Sequence, residues 1–283
     1  MGRGKKAIFL TMFAVGLVLA AFAVWQMFSV LEEEAAAREE YDELRDLLRD
    51  QWDLFQILPS PPVSPGTPGS PNEPDDPALH DTPPREPVYT GPIEPEPPRV
   101  DLTAFTAQNS DFVGWILIHG TSVNYPVVQG PDNDKYLHRT FGGQHNAAGS
   151  IFMDYRAAYA FDTPIVFLYG HNMRDGSMFA TLFRYLNDPQ FAGQYPDILI
   201  LTADGEILTY YVFHARVTHA WDEVYSLDFL NRAAAIAHFR GAPIGAGRFL
   251  ILSTCTDDTV TGRLLIYAAL LEEQPRHQGG LSI

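Results

Sequence analysis

Between residues 59 and 100 the chain has a composition that cannot build a packed core. Fifteen of its 22 prolines fall in this stretch, interleaved with Gly, Ser, Asp and Glu and with few large apolar residues. Proline fixes φ and removes a backbone donor, so the segment reads as an extended, partly polyproline-II linker. Whatever folds must lie on either side of it.

The N-terminal side is of two kinds. Residues 7–30 carry no charge and are dominated by Ala, Val, Leu, Phe and Met. At 1.5 Å per residue they are long enough to cross a ~30 Å hydrocarbon layer. The apolar part of a cleaved signal peptide runs to only ~7–15 residues, so the stretch reads as an uncleaved anchor. Arg3, Lys5 and Lys6 precede it and Glu32, Glu33 and Glu34 follow it. The charge bias therefore puts residues 1–6 in the cytoplasm and everything after Val30 outside, at the cell membrane. Residues 31–58 are charged and helical in period, with Tyr41, Leu44, Leu48, Phe55 and Leu58 at 3-4 spacing and Glu34 placed to pair with Arg38. They read as a solvated stalk, with a brief coiled-coil seam as the alternative. A stalk of ~40 Å and a linker reaching on the order of 100 Å would carry the rest of the chain well away from the bilayer. A chain beginning at Asp101 would then be soluble and fully active.

Residues 101–272 carry the pattern of a folded domain, followed by a tail at 273–283. Asp101 is placed to cap a short helix. Brief β-rich runs follow at 113–118, 123–129, 150–153, 165–169, 197–202, 206–217, 248–254 and 264–271. Such runs at irregular spacing favour a barrel or sandwich over a βαβ sheet. Helices are expected at 178–186 and at 226–240, the second capped by Ser226 and turning Leu227, Leu230, Ala234 and Ile236 to a core.

The formal charge of −16 excludes a nucleic-acid partner, because phosphate binding needs basic surface. No metal-ligand spacing of Cys and His appears, and no cofactor is implied. The single cysteine, Cys255, ends the apolar run 249–254, and Arg263 follows Gly262 at the head of the next run. Two readings are open for such a thiol. It is either a buried member of a β-core or a nucleophile assisted by a neighbouring permanent cation. Of nine histidines, His171 stands apart, since it follows the run 165–169 through Gly170 and so is aimed from a strand end. It too is either a satisfied structural histidine or an acid–base group.

Taken together, Leu252-Ser253-Thr254-Cys255, the downstream Arg263 and Tyr169-Gly170-His171-Asn172-Met173-Arg174-Asp175-Gly176-Ser177-Met178-Phe179 resemble a sortase, specifically class B. The likeness extends over Gly114-Trp115-Ile116, Tyr125-Pro126-Val127-Val128-Gln129 and Gly149-Ser150-Ile151-Phe152-Met153-Asp154, and so from about Asp101 to Glu272. Two departures stand out. Ile251 occupies a place where the family signature usually has threonine, and the gap from Cys255 to Arg263 is short for the class, which bears on the rim of the site.

The resemblance implies a mainly β fold, an eight-stranded barrel with a few peripheral helices. It implies a cysteine transpeptidase acting on exported proteins that bear a C-terminal sorting signal of the Pro-x-Thr type. Cys255 would form a thioester, His171 would serve as acid and base, and Arg263 would hold substrate and oxyanion, with Ser253 and Thr254 lining the substrate site. The acceptor would be an amine of a peptidoglycan precursor or a lysine of another protein, so cell-wall anchoring and pilus polymerisation are both open. A thiol hydrolase and a non-catalytic anchored scaffold are the rival classes. Asp257 and Asp258, just past the cysteine, are placed to orient His171 or to remain solvated.

Overall fold

The computed structural model describes residues 3–57, 100–158, 160–239, 241–256 and 261–271. Most of the linker, the tail, Asp257 and Asp258 therefore lie outside the described residues. Eight strands close a barrel: β1 (Phe112–Leu117), β2 (Asn124–Val128), β3 (Ile151–Met153), β4 (Ile165–Tyr169), β5 (Asp197–Thr202), β6 (Ile207–His219), β7 (Ala246–Cys255) and β8 (Gly262–Leu271). Their order around the wall is β1-β2-β3-β4-β7-β8-β6-β5. Two neighbour pairs are parallel, β2 with β3 and β4 with β7, and the others are antiparallel. The expected strands appear within two residues of their anticipated ends, and 165–169 and 197–202 coincide with β4 and β5.

The reason β4 and β7 read as unbroken apolar runs is that they are covered on both faces. Ile165 to Leu168 and Phe249 to Leu252 are all buried, as is usual for parallel pairs inside a sheet. Phe167 stacks on Phe229, with ring centroids 5.4 Å apart, and Phe239 packs on Phe249 at 4.7 Å. Both partners come from the segment between β6 and β7, which so covers the outside of the wall.

The expected helices are shorter than their composition suggests. In place of a helix over 178–186 there is a 3-10 turn (Ala180–Phe183) leading into α3 (Arg184–Asn187). Met178 has φ 52°, and the Phe179 amide donates to the His171 carbonyl at 2.9 Å. The chain is tied back to its own loop there and cannot begin a helix. In place of a helix over 226–240, only α4 (Arg232–His238) forms, capped by Asn231 rather than Ser226. The carbonyl of Phe229 accepts from the Ile165 amide, which draws the residues before Asn231 onto the barrel. Leu230 and Ile236 are exposed, and Phe229, Ala235 and Phe239 take the core positions instead. Helix α2 (Thr103–Gln108) forms where a short helix is expected, but its cap is Leu102 and not Asp101, whose carboxylate accepts from the Thr103 amide at 3.0 Å from one residue before the cap.

The largest departure is α1 (Arg3–Ile57), a single helix. Its apolar residues 11–28 are exposed, but its charged second half is not a solvated stalk. Ala37, Tyr41, Leu44 and Leu48 are buried on the barrel. The Tyr41 hydroxyl donates to the Gly149 carbonyl at 2.7 Å, and its ring meets Tyr125 edge-on at 5.3 Å. Arg38 pairs with Asp175 at 2.8 Å, Glu40 accepts from the Gly142 amide at 2.6 Å, and Arg45 donates to the Asn124 carbonyl at 3.1 Å. The 3-4 spacing is a docking stripe. A catalytic body carried far out on stalk and linker does not agree with these contacts.

Candidate active site

β4 and β7 finish side by side, with Tyr169 opposite Ser253 and the Gly170 amide donating to the Ser253 carbonyl at 3.3 Å. His171 and Cys255 lie two residues beyond that level on adjacent strand ends. β8 runs back beside β7 in a register that sets Arg263 opposite Cys255. All three residues line one cavity of about 350 Å³. The glycine before His171 is dictated by packing: a Cβ on Gly170 would come within 2.5 Å of Ile151 and 2.8 Å of Phe179.

Cys255 is exposed, whereas Leu252, Ser253 and Thr254 behind it are buried. The strand thus delivers a thiol to solvent from a fixed base. The Arg263 guanidinium donates to the Gly262 carbonyl at 2.8 Å. His171 is half-buried, with Nε2 2.7 Å from the Leu137 carbonyl oxygen. A carbonyl only accepts, so Nε2 carries the hydrogen and Nδ1 is the open nitrogen of the neutral ring. Burial lowers the His171 pKa below 6.5, the Leu137 bond opposes that, and the His138 charge lowers it further. The His138 ring lies beside it, 5.8 Å between centroids and 19° between planes. Leu137 can hold its carbonyl there because Gly149, at φ 59°, passes beneath it. A Cβ on that glycine would sit 2.5 Å from the same oxygen.

Ser253 and Thr254 line the cavity with little exposed surface. The Ser253 hydroxyl bonds the Tyr225 hydroxyl at 2.8 Å, while the buried Thr254 hydroxyl has no partner among the described residues. Four lining residues carry no signal strong enough to single them out by sequence: Asn133, Leu137, Arg156 and Tyr225. Asp154, with no exposed surface, joins two of them directly and a third through Arg156. Its carboxylate accepts from Arg156 Nε at 2.9 Å and Nη2 at 2.8 Å, from Tyr169 at 2.8 Å and from Asn133 at 3.1 Å. Arg156 in turn donates to the Tyr225 carbonyl at 2.8 Å. Burial alone would raise the Asp154 pKa, but the Arg156 bonds and the Tyr169 bond hold it below the usual carboxylate value. One buried anion therefore fixes the two sides of the groove, the loop with Asn133 and the loop with Tyr225. The visible hint was the acid at the end of Gly149-Ser150-Ile151-Phe152-Met153-Asp154 with an arginine two residues on.

The Tyr225 loop has its own support. Asp222 accepts from Arg216 at 2.7 and 2.9 Å and from the Val224 amide at 3.0 Å, capping the 3-10 turn (Glu223–Ser226) that carries Tyr225. The Arg216 bonds hold the Asp222 carboxyl far below its ordinary value. A thiol, a neutral imidazole and a permanent guanidinium on one rim are groups with the chemistry of a nucleophile, a proton carrier and an anion holder, as acyl transfer through a covalent intermediate requires.

Residues 116–271 match the family described as Sortase domain. The chain is 34% identical over 185 residues to Sortase B of Listeria monocytogenes, covering 61% of this chain and 75% of the relative. Its fold is similar to the Clostridium perfringens Sortase B structure, with a TM-score of 0.54 at 28% identity over 60% of this chain and 99% of the other. It is also similar to a Staphylococcus aureus sortase B–substrate complex, with a TM-score of 0.62 at 25% identity over 86% of this chain and 100% of the other.

Proposed function

Since this chain belongs to the sortase family, class B, and is a cysteine transpeptidase, we propose that it cleaves a Pro-x-Thr sorting signal and joins the threonine carbonyl to an amine. The support for the roles is the β7–β8 register that sets Cys255 opposite Arg263, with His171 at the end of the parallel neighbour β4. The Cys255 sulfur attacks the carbonyl carbon after threonine as its proton passes to Nδ1 of His171. Arg263 holds the oxyanion of the tetrahedral intermediate. The C–N bond then breaks, the departing amine takes the proton from His171, and a thioester remains on Cys255. An incoming amine attacks that thioester, gives its proton to His171 and expels the Cys255 sulfur.

The groove walled by Asn133, Leu137, Tyr225, Ser253 and Thr254 takes the signal peptide. A sortase B from Staphylococcus aureus has been solved with a substrate, which favours a peptide in the equivalent place here. The acceptor is a peptidoglycan-precursor amine, and residues 7–30 hold the protein in the cell membrane with the barrel outside. An apolar window of mean hydropathy 2.1 in α1, none of it buried, favours that anchor.

The test is capture of the acyl-enzyme from a library of Pro-x-Thr peptides, with its mass measured before and after adding an amine. A peptide-sized gain on Cys255 that the amine discharges to ligated product is the expected result. Cys255→Ala should abolish both cleavage and ligation while the barrel still melts cooperatively. Ligated product from that variant would sink the reading, and cleavage that no amine diverts would make the protein a hydrolase.

A further inference from the structure

Helix α1 connects the apolar stretch to the barrel without a break, so the contacts along it measure how far the barrel stands from the membrane. The Glu33 carbonyl accepts from the Asn146 side chain at 2.6 Å. Glu33 lies three residues past Val30, about 4.5 Å along a helix axis. Arg38 meets Asp175 and Glu40 meets the Gly142 amide within the next two turns, and only later does Arg45 reach Asn124. The lowest part of the barrel, next to the end of the apolar stretch, is thus the pair of loops before β3 and after β4. These loops carry Leu137 with its carbonyl on His171, and His171 itself. The turn before β7 lies at the opposite end of that strand from Cys255, with Ile244 fully exposed.

The lower loop is locally basic, as are residues 229–256, which also hold no acid, and its place beside the apolar stretch is what sets it apart. In a protein of net charge −16, residues 138–147 contain no acid and carry His138, Arg139 and His145, all exposed. Three of the nearby acids are engaged, while Glu32, Glu33 and Glu39 are exposed. Glu34 and Asp175 lie beside Arg38, at 3.8 and 2.8 Å, and Glu40 is on the Gly142 amide. We propose that residues 138–147 are a membrane-facing surface that rests on phospholipid headgroups, their phosphates meeting Arg139 and the two histidines. The active-site end of the barrel is thereby held at the bilayer. The inference rests on the anchor reading above. Basic groups close to a phospholipid surface are drawn to it, within a Debye length.

The experiment uses the full chain as Cys255→Ala, reconstituted in phosphatidylcholine vesicles containing phosphatidylglycerol. A single fluorophore is placed through Gln144→Cys or through Ile244→Cys, and the vesicles carry a nitroxide quencher on the lipid headgroup. Strong quenching at 144 and little at 244 is expected, with the protein retained after carbonate washing. Retained protein with equal, weak quenching at both positions overturns the inference and leaves the anchor standing. Protein released by carbonate overturns the anchor and the inference with it. Adding Arg139→Glu and His145→Glu should reduce quenching at 144. In the Cys255 background the same pair should leave turnover of a soluble peptide unchanged. Quenching that ignores these two charges would remove the phosphate contact from the proposal.

Discussion

The wall made by β4, β7 and β8 and the helix α1 are both built on long apolar runs, yet the runs end in opposite environments. The wall is buried from Ile165 to Leu168, from Phe249 to Thr254 and from Leu264 to Leu270. In α1 the apolar residues 11–28 are exposed to whatever surrounds the barrel, and the half rich in Glu and Arg supplies the buried stripe Ala37, Tyr41, Leu44 and Leu48. Hydrophobicity summed over a run does not say where the run goes. Spacing does: every fourth or third position in α1 is enough to dock a helix that is otherwise charged. The wall aims the chemistry, and the helix holds the loops that border it.

If that division is right, a change in the wall should strike turnover and a change in the helix should strike stability. Arg263→Lys is the largest expected loss. It keeps the charge but not the planar fork of donors, and removal of one oxyanion donor costs ~10²–10³ in kcat. Single-turnover acylation measures it, and a lysine variant as fast as the parent would reduce Arg263 to a general electrostatic role.

Asp154→Asn should come next. It removes the anion that ties Arg156, Asn133 and Tyr169 together, so the groove loosens while the thiol is untouched. KM for peptide should rise about tenfold, a change of ~1.4 kcal/mol, with alkylation of Cys255 by a small reagent unaltered. A fall in kcat at constant KM would contradict a groove-setting role.

His138→Ala should act more gently and only through pH. The His138 charge is one of the causes that lower the His171 pKa, so removing it lets that pKa rise, and the acid limb of kcat/KM should move to higher pH. The linked stability effect has a definite sign. A histidine whose folded pKa lies below its unfolded value of 6.5 makes the unfolded chain bind the proton first. Its contribution is present above pH 6.5 and is lost as pH falls toward the folded value. An acid limb that stays put would leave the ring stack without a role in protonation.

Leu48→Ala should change turnover least. A buried Leu→Ala substitution typically costs about 2–5 kcal/mol, so Tm should fall while peptide turnover at low temperature persists. For the same reason, a chain starting at Asp101 should be less stable than one starting at Glu32. Equal melting of those two chains would mean that α1 rests on the barrel without holding it.

How much of this was readable in the sequence follows from what each feature depends on. The strands were, because β-branched and aromatic runs bounded by turn residues are a local signal, and the residues proposed for catalysis sit at the ends of such runs. The segments near Met178 and Ser226 are less helical than their spacing predicts, because Phe179 is tied back to His171 in its own loop and Phe229 to Ile165 on a distant strand, and helical spacing reveals neither bond. Tyr225 and Asn133 were invisible for a similar reason. They reach the site through Asp154, and only the closed barrel brings those loops together. In α1 the stripe is legible in the sequence but its partner is not, since a 3-4 spacing does not name the surface it meets.

Docking of α1 also changes the role of the proline-rich linker. Leu48 and Val100 are both buried on the same body, and the Val100 amide donates to the Gly205 carbonyl at 3.1 Å. The linker between them is therefore a closed circuit, not a leash. Closing such a circuit costs only about 0.6 kcal/mol more for each doubling of its length. Insertions and deletions there are cheap for the fold, which leaves composition free to drift under other pressures. A protease that cuts the linker would open the circuit without releasing the barrel, because the α1 stripe would still hold the two pieces together.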